Sequence, residues 1–554
     1  MEVICVKDKG YKWSEYDGSF FRGYVQLYDE DDTVLRGREA VDYFASAGNF
    51  EDFTVKLKEC DGVFAVIVRK NDSCWAAVDA ARSMPLYYSS DCSCISDSSE
   101  EVRRYKNIAP EDTDYLRTIE MFKTEFVAHD RTIYDGIRQL EMGHAAEFSG
   151  GRVKTSAYFI HSSAMQDITR EEAVRQLREK TDVMIRRLLK VIDGRPLVLS
   201  LSGGYDSRYL ACSFRQYGVK NIACYTYGRG GSYEVPDSKR VADALGYEWH
   251  CVKYTDENQL ELTSEQIRPY YEYTKSHDYF MYLQNYTAVK ELQEGSMIPQ
   301  DAVMITGLCN DMPSGLYVPS EKQAEGYGFT LEGAARFIVD GRFPRDFIHR
   351  RLNRDVLRKD EYCSFVEEVK SYLDSLGLEV HDYQSFVGAV DCVTTGYMHS
   401  RCFLHMNDIH EFFGHEWLLP CWDRELLKFW YSLPAEMRQK QNLYEDYVTG
   451  TLGRQWGLTR KKHESLTARP KVSVVHKVLL KIREILQGLL YPLGIVIFNN
   501  RNNVAPNMVV LYKRVRQKAA LKSALTASNH FWCVYLMEQK YGLKWFERIR
   551  QALN

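Results

Sequence analysis

The stretch Leu197-Val198-Leu199-Ser200-Leu201-Ser202-Gly203-Gly204-Tyr205-Asp206-Ser207 decides the architecture of the second half of this chain. An apolar run of strand length is followed by a small, glycine-rich turn, and then by Arg208-Tyr209-Leu210-Ala211-Cys212-Ser213-Phe214, which reads as a helix. A buried strand ending in such a turn suits phosphates, because glycines let amide N–H groups converge on anionic oxygens. Working outward, Asn221 to Tyr227 reads as a second buried strand, Pro236 to Leu245 as a helix, and Tyr247 to Val252 as another strand. This alternation predicts a parallel sheet with crossover helices, whose ligands sit beyond the carboxyl ends of the strands. Ser202 to Ser207 would lie at that edge.

A second apolar run, Val303-Met304-Ile305-Thr306, ends in Gly307 and delivers a carboxylate, Asp311, to the same edge. Two carboxylates from neighbouring strand ends suit magnesium, which takes one or two protein carboxylates and fills its shell with phosphate and water. Taken alone, Asp311 is more simply a turn residue. No Gly-Lys-Ser/Thr follows the turn, and no third glycine stands at the dinucleotide-binding spacing. The S-G-G-x-D-S pattern instead resembles the pyrophosphate loop of the ATP pyrophosphatases, which implies cleavage of ATP between its α and β phosphates.

From about residue 61 to about residue 447 the chain resembles the asparagine synthetase family. Besides the loop, Thr306-Gly307-Leu308-Cys309-Asn310-Asp311 matches its S-G-E-G-x-D-E segment. Gly414-His415-Glu416-Trp417-Leu418-Leu419-Pro420-Cys421-Trp422-Asp423 matches its G-x-E-x-R-x-P-F-L-D segment, and Ser432-Leu433-Pro434 follows in order. The resemblance implies two steps: a carboxylate attacks the α phosphorus of ATP to give an acyl-adenylate and pyrophosphate, then ammonia or an amine displaces AMP to form an amide. It implies ATP and Mg2+ as cofactors. Leu201, Ser202, Gly203, Gly204, Asp206, Ser207, Tyr225 and Gly307 would bind ATP and pyrophosphate, and Asp206 and Asp311 would hold the metal. Glu416 would act as general base or amine-positioning group, and Lys440, after the Ser-Leu-Pro segment, would stabilise phosphate charge. The plainer reading of Glu416 is a surface carboxylate, and that of Tyr225, Tyr227 and Tyr233 is ordinary packing.

Two departures bear on the substrate. Leu308 replaces the family's glutamate and can neither hydrogen-bond an amine nor move a proton, and Leu418 replaces an arginine that could grip a carboxylate. The expected acceptor is therefore not aspartate but another small-molecule or saccharide carboxylate. Tyr205 to Arg208 and Phe412 to Pro420 are similar to a branch associated with surface polysaccharides. A non-catalytic nucleotide-binding assembly module and an intramolecular amide-forming cyclase, of the β-lactam or lasso-peptide type, remain as alternatives.

In the first 160 residues, Asp61 to Val68, Asp79 to Tyr88, Thr132 to Ile137 and Leu140 to Gly143 resemble segments of the family's glutaminase domain. That domain works through a cysteine freed at the amino terminus. Here the sequence begins Met1-Glu2-Val3-Ile4-Cys5, and no convincing glutamine-binding Asn-Gly-Glu segment appears. The expectation is a degenerate amidotransferase domain that does not hydrolyse glutamine.

The expected fold is α/β: an Ntn-type, β-sandwich-like (αββα) domain over residues 1–160, a parallel-sheet ATP-pyrophosphatase domain over 165–450, and a basic, mainly helical extension over 451–554. Thr169-Arg170-Glu171-Glu172 has the form of a capping box opening a helix with Val174, Leu177, Met184 and Leu188 on one face. With 72 Lys and Arg against 76 acids, a net charge of −4 gives no global basic excess, so nucleic acid is not an expected partner. Fourteen scattered cysteines without C-x-x-C spacing, and no recognisable signal peptide, read as reduced cytoplasmic thiols. Between Arg454 and Arg483 stand nine Lys or Arg and one acid, ahead of the apolar run Leu489 to Phe498. That pairing suits peripheral contact with an anionic membrane, although a packed helical extension with a solvated basic face is the plainer reading. A homodimer is compatible with all of this.

Overall fold

The computed structural model describes residues 1–459, apart from residues 230, 231, 233, 308, 309, 344–356, 397–399 and 402. The readings of Leu308, of Tyr233 and of the extension from residue 460 onward therefore lie outside the described residues.

The first domain is built on two sheets of mainly antiparallel strands. Strands β2 (Trp13–Tyr16), β3 (Ser19–Leu27), β5 (Cys60–Arg69), β6 (Ser73–Val78), β10 (His144–Ser149) and β11 (Arg152–Ala157) form one antiparallel sheet, and β4 (Val34–Arg36) pairs with β3. A second sheet takes β1 (Glu2–Ile4), β8 (Cys94–Ser96), β7 (Tyr87–Ser89) and β9 (Ile137–Gln139), in that order. Helices α1 (Gly37–Ala45) and α2 (Phe50–Lys58) cover the outer face of the larger sheet, where Phe44 packs against Phe21, Phe53 and Phe64. On the opposite face, Phe148 of β10 meets Tyr88 of β7, with ring centroids 5.1 Å apart. Helix α3 (Ser99–Tyr105) backs the smaller sheet. The layers run helix, sheet, sheet, helix, the αββα sandwich the sequence predicts.

The second domain carries a five-stranded parallel sheet. Its strands are β12 (Leu197–Ser200), β13 (Ile222–Gly228), β14 (Glu248–Lys253), β15 (Val303–Ile305) and β16 (Trp417–Leu418), in the order β14-β13-β12-β15-β16. Crossing from β12 to β13 is helix α6 (Tyr205–Gln216), and from β13 to β14 is α7 (Glu234–Leu245). Between α3 and these lie α4 (Tyr115–Thr124) and α5 (Arg170–Ile192). Helix α5 buries Leu177, Met184 and Leu188, whereas Val174 is half-buried. Only half of the predicted capping box forms: Thr169 Oγ1 accepts from the Glu172 amide at 3.2 Å, while the Glu172 carboxylate is drawn away by Arg175 and Gln176.

A continuous apolar core runs from the first sheet pair through the parallel sheet, and polar links cross the same boundary. Buried Arg22 pairs with Glu411, and Arg82 with Asp278 at 3.0 Å. Arg82 belongs to the Asp79–Tyr88 segment. Asp79 closes that turn by accepting from the amides of Phe64, Ala81 and Ser83, which frees Arg82 to reach across. A second apolar cluster forms among the helices Leu331–Arg342, Lys359–Ser375 and Tyr383–Thr394, against α4.

Candidate functional site

Where β12 ends, the chain turns directly into α6, and the turn is tied by its own serines. The Ser202 amide donates to Ser207 Oγ at 3.0 Å, the Gly204 amide donates to Ser202 Oγ at 3.1 Å, and the two hydroxyls stand 3.2 Å apart. Gly204 occupies the helix N-cap without a side-chain cap. Gly204 thus brings no capping side chain to the start of α6, an arrangement that suits an anion at a helix N-terminus. The glycines here relieve crowding rather than supply positive φ. A Cβ on Gly203 would stand 3.2 Å from Asp237 Cβ, and one on Gly307 only 2.7 Å from the Ser207 nitrogen.

Beyond these strand ends lies a cavity of about 230 Å³. Leu201, Ser202, Gly204, Asp206 and Ser207 line it from the loop, and Gly307 and Asp311 from the end of β15. Of the residues read from sequence, these seven are brought together. Gly203 packs behind the loop against Asp237. Tyr225 is fully buried within β13 and does not line the cavity; burial pushes its hydroxyl up to about 12. Its neighbours Thr226 and Tyr227 take the wall instead, with Glu234 at the start of α7, Gln284 and Met406. Thr226, Tyr227 and Glu234 follow the carboxyl-edge rule, since they lie at the end of β13 and the start of the next helix. Gln284 and Met406 arrive from long excursions and leave no local signal.

Glu416 stands elsewhere. It immediately precedes β16, whose register pairs Trp417 with Met304, so it sits at the amino edge of the sheet, away from the cavity. There it bonds Arg195 at 2.9 Å and Arg36 at 3.1 Å, joining the two domains. Lys440 is exposed and is not among the cavity's described lining residues.

Asp206 and Asp311 act electrostatically on one place. The Cys421 thiol is held well above its usual range, first by burial and then by both carboxylates. Asp206 also lies in the first turn of α6, the helix start suited to phosphate. A carboxylate and a phosphate at one helix end repel each other unless a cation lies between them, and two carboxylates with phosphate oxygens are a donor set that magnesium accepts. The residues present fit that ion. Among the described residues, no group of three or more His, Cys, Asp and Glu forms a metal cage.

Residues 186–446 match the family model described as asparagine synthase. This stretch is an asparagine synthase domain. The loop, Gly307, Asp311 and β16 all fall inside it. Among solved structures, the chain is similar to glutamine phosphoribosylpyrophosphate amidotransferase from B. subtilis complexed with ADP and GMP: 9% identity, 53% of this chain, 63% of that chain, TM-score 0.17. It is also similar to a structure described as the allosteric regulatory enzyme of purine biosynthesis: 9% identity, 70% of this chain, 77% of that chain, TM-score 0.17. The chain spans less than two thirds of the first of these. No curated protein matches it.

Proposed function

We propose that this protein is an ATP-dependent, AMP-forming ligase that adenylates a substrate carboxylate and passes the acyl group to ammonia or an amine. The observation that carries the reading is the convergence of the uncapped start of α6, Asp206 and Asp311 on one cavity. In the first step a carboxylate oxygen bonds to the α phosphorus and the α–β bridge breaks. Pyrophosphate leaves toward the hydroxyls of Ser202 and Ser207 and the first amides of α6, which supply hydrogen bonds where charge grows. Asp206 and Asp311 would hold magnesium, which would supply the charge neutralisation that the leaving group needs. In the second step the amine attacks the acyl carbon and AMP leaves. The proton that the amine loses needs a base, and Glu234 is the lining carboxylate not committed to the cation.

Nitrogen comes from outside the first domain in this reading. Cys5 lies just past β1, and burial, then Asp97, holds its thiol far above the range of a reactive thiolate. The first domain then serves as a scaffold, and glutamine is not hydrolysed.

Pyrophosphate release with a panel of carboxylates and whole-cell extract tests the proposal. Asp206→Asn and Asp311→Asn are each expected to abolish it. Normal turnover in either variant would remove the metal assignment. Protein that binds ATP and magnesium yet never yields AMP and pyrophosphate would end the enzyme reading in favour of a nucleotide-binding assembly module.

A further inference from the structure

We infer that Gln441, rather than its neighbour Lys440, is the residue of this segment that acts on the cavity, as a positioning residue for Asp311. This rests on the reading of Asp311 as a magnesium ligand. Lys440 and Gln441 are consecutive non-glycine residues in the left-handed region, with φ 57° and 62°. Each such residue costs about 1–2 kcal/mol and persists only where its surroundings hold it. Here they do. Arg438 is buried, donates from Nε to the Pro313 carbonyl at 2.9 Å, and pairs with buried Asp391 at 2.6 Å. Gly315, at φ 101°, lies so close that a Cβ would stand 2.3 Å from the Arg438 carbonyl oxygen. The chain around residue 438 is thus pressed onto the turn that presents Asp311.

The double left-handed turn leaves the Lys440 side chain exposed and buries Gln441, which is 5% exposed. The Gln441 amide nitrogen donates to Ser314 Oγ at 2.9 Å and to Asp311 Oδ1 at 3.3 Å. Ser314 Oγ in turn donates to the Asn310 carbonyl, so the chain of donors is consistent from Gln441 to the backbone of the turn. One carboxylate oxygen is thereby held by a neutral donor while the other is left for a cation. An ammonium at this place would satisfy the carboxylate's charge and compete with the metal; an amide orients without competing.

The test uses the full chain and α,β-methylene-ATP, whose α–β bridge does not cleave. Its affinity is measured by calorimetry in EDTA and again in saturating magnesium. Wild-type protein is expected to bind the analogue more tightly with magnesium. Gln441→Leu, which removes the donor, and Gln441→Lys, which adds a competing charge, are each expected to lose about tenfold of that tightening, the scale of a hydrogen bond to a charged group. Affinity in EDTA should stay within about twofold of wild type, since a hydrogen bond acts locally; a purely structural defect would move it. Gln441→Asn, whose amide is too short to reach, carries the same expectation should the leucine variant misfold. Variants that keep the full magnesium effect would overturn the role of Gln441. Wild-type protein that binds the analogue with no magnesium effect would overturn the metal assignment beneath it.

Discussion

Gly307→Ala puts one methyl group where the site is tightest. The new Cβ would lie 2.7 Å from the Ser207 nitrogen and 3.0 Å from the Asp206 carbonyl carbon and Ser207 Cα, all backbone atoms of the first turn of α6. Ordinary contact begins near 3.4 Å, and no side-chain rotation can relieve a clash with backbone. The end of β15 and the start of α6 must separate by several tenths of an ångström. Overpacking of this kind costs about 1–3 kcal/mol, and each kcal/mol lowers the melting temperature of a domain this large by about 2–4 °C. The same displacement carries Asp206 and the phosphate-facing amides away from Asp311. Since a misplacement of about 1 Å costs on the order of a hundredfold in rate, ATP–pyrophosphate exchange is expected to fall at least about tenfold. Thermal melting and exchange are measured on the same preparation. Unchanged exchange with an unchanged melting temperature would show that the strand end does not press on the helix start, and the account of the cavity's rear wall would be wrong.

Glu416→Ala should leave pyrophosphate release close to wild type and cost about 1 kcal/mol or less in denaturant unfolding, since its partners Arg36 and Arg195 are half-exposed and pair at the amino edge. Loss of turnover with intact stability would return Glu416 to the site. Cys5→Ala should not alter ligation with ammonia, and wild-type Cys5 should react slowly with iodoacetamide at pH 8; rapid labelling would contradict a thiol held up by burial. His161 is buried and held down to about 4, so it stays neutral in the fold while the unfolded chain takes up a proton below about 6.5. Stability is therefore expected to fall as pH drops from 6.5 to 4, by on the order of 3 kcal/mol from this residue. His161→Gln should flatten that slope in denaturant melts, and an identical slope would refute it.

Much of the second domain can be read from its sequence because parallel strands are buried on both faces and appear as short apolar runs. β12, β13 and β15 lie where those runs are. The same logic, carried one step further, separates the carboxylates: Asp206 and Asp311 follow their strands and reach the carboxyl edge, while Glu416 precedes Trp417-Leu418 and reaches the other. A motif match gives order along the chain and is blind to this polarity. Lys440 illustrates a different limit. Nothing in Arg438-Gln439-Lys440-Gln441 announces two successive left-handed residues, and they decide which side chain turns inward. The αββα layering of the first domain came from the resemblance of its segments to the glutaminase domain rather than from periodicity, and the partner of Arg82, nearly two hundred residues away, leaves no local signal.

The links between the two domains bear on how the gene can be cut. Arg22 with Glu411 and Arg82 with Asp278 are pairs in which each member is almost wholly withdrawn from water. Removing residues 1–160 would take an arginine partner from each of Glu411 and Asp278 and uncover the shared apolar core, and breaking a buried pair in this way costs up to about 3–5 kcal/mol. A truncated second domain should therefore be insoluble when expressed alone. Selection can therefore act on the seam between the domains as well as on the cavity.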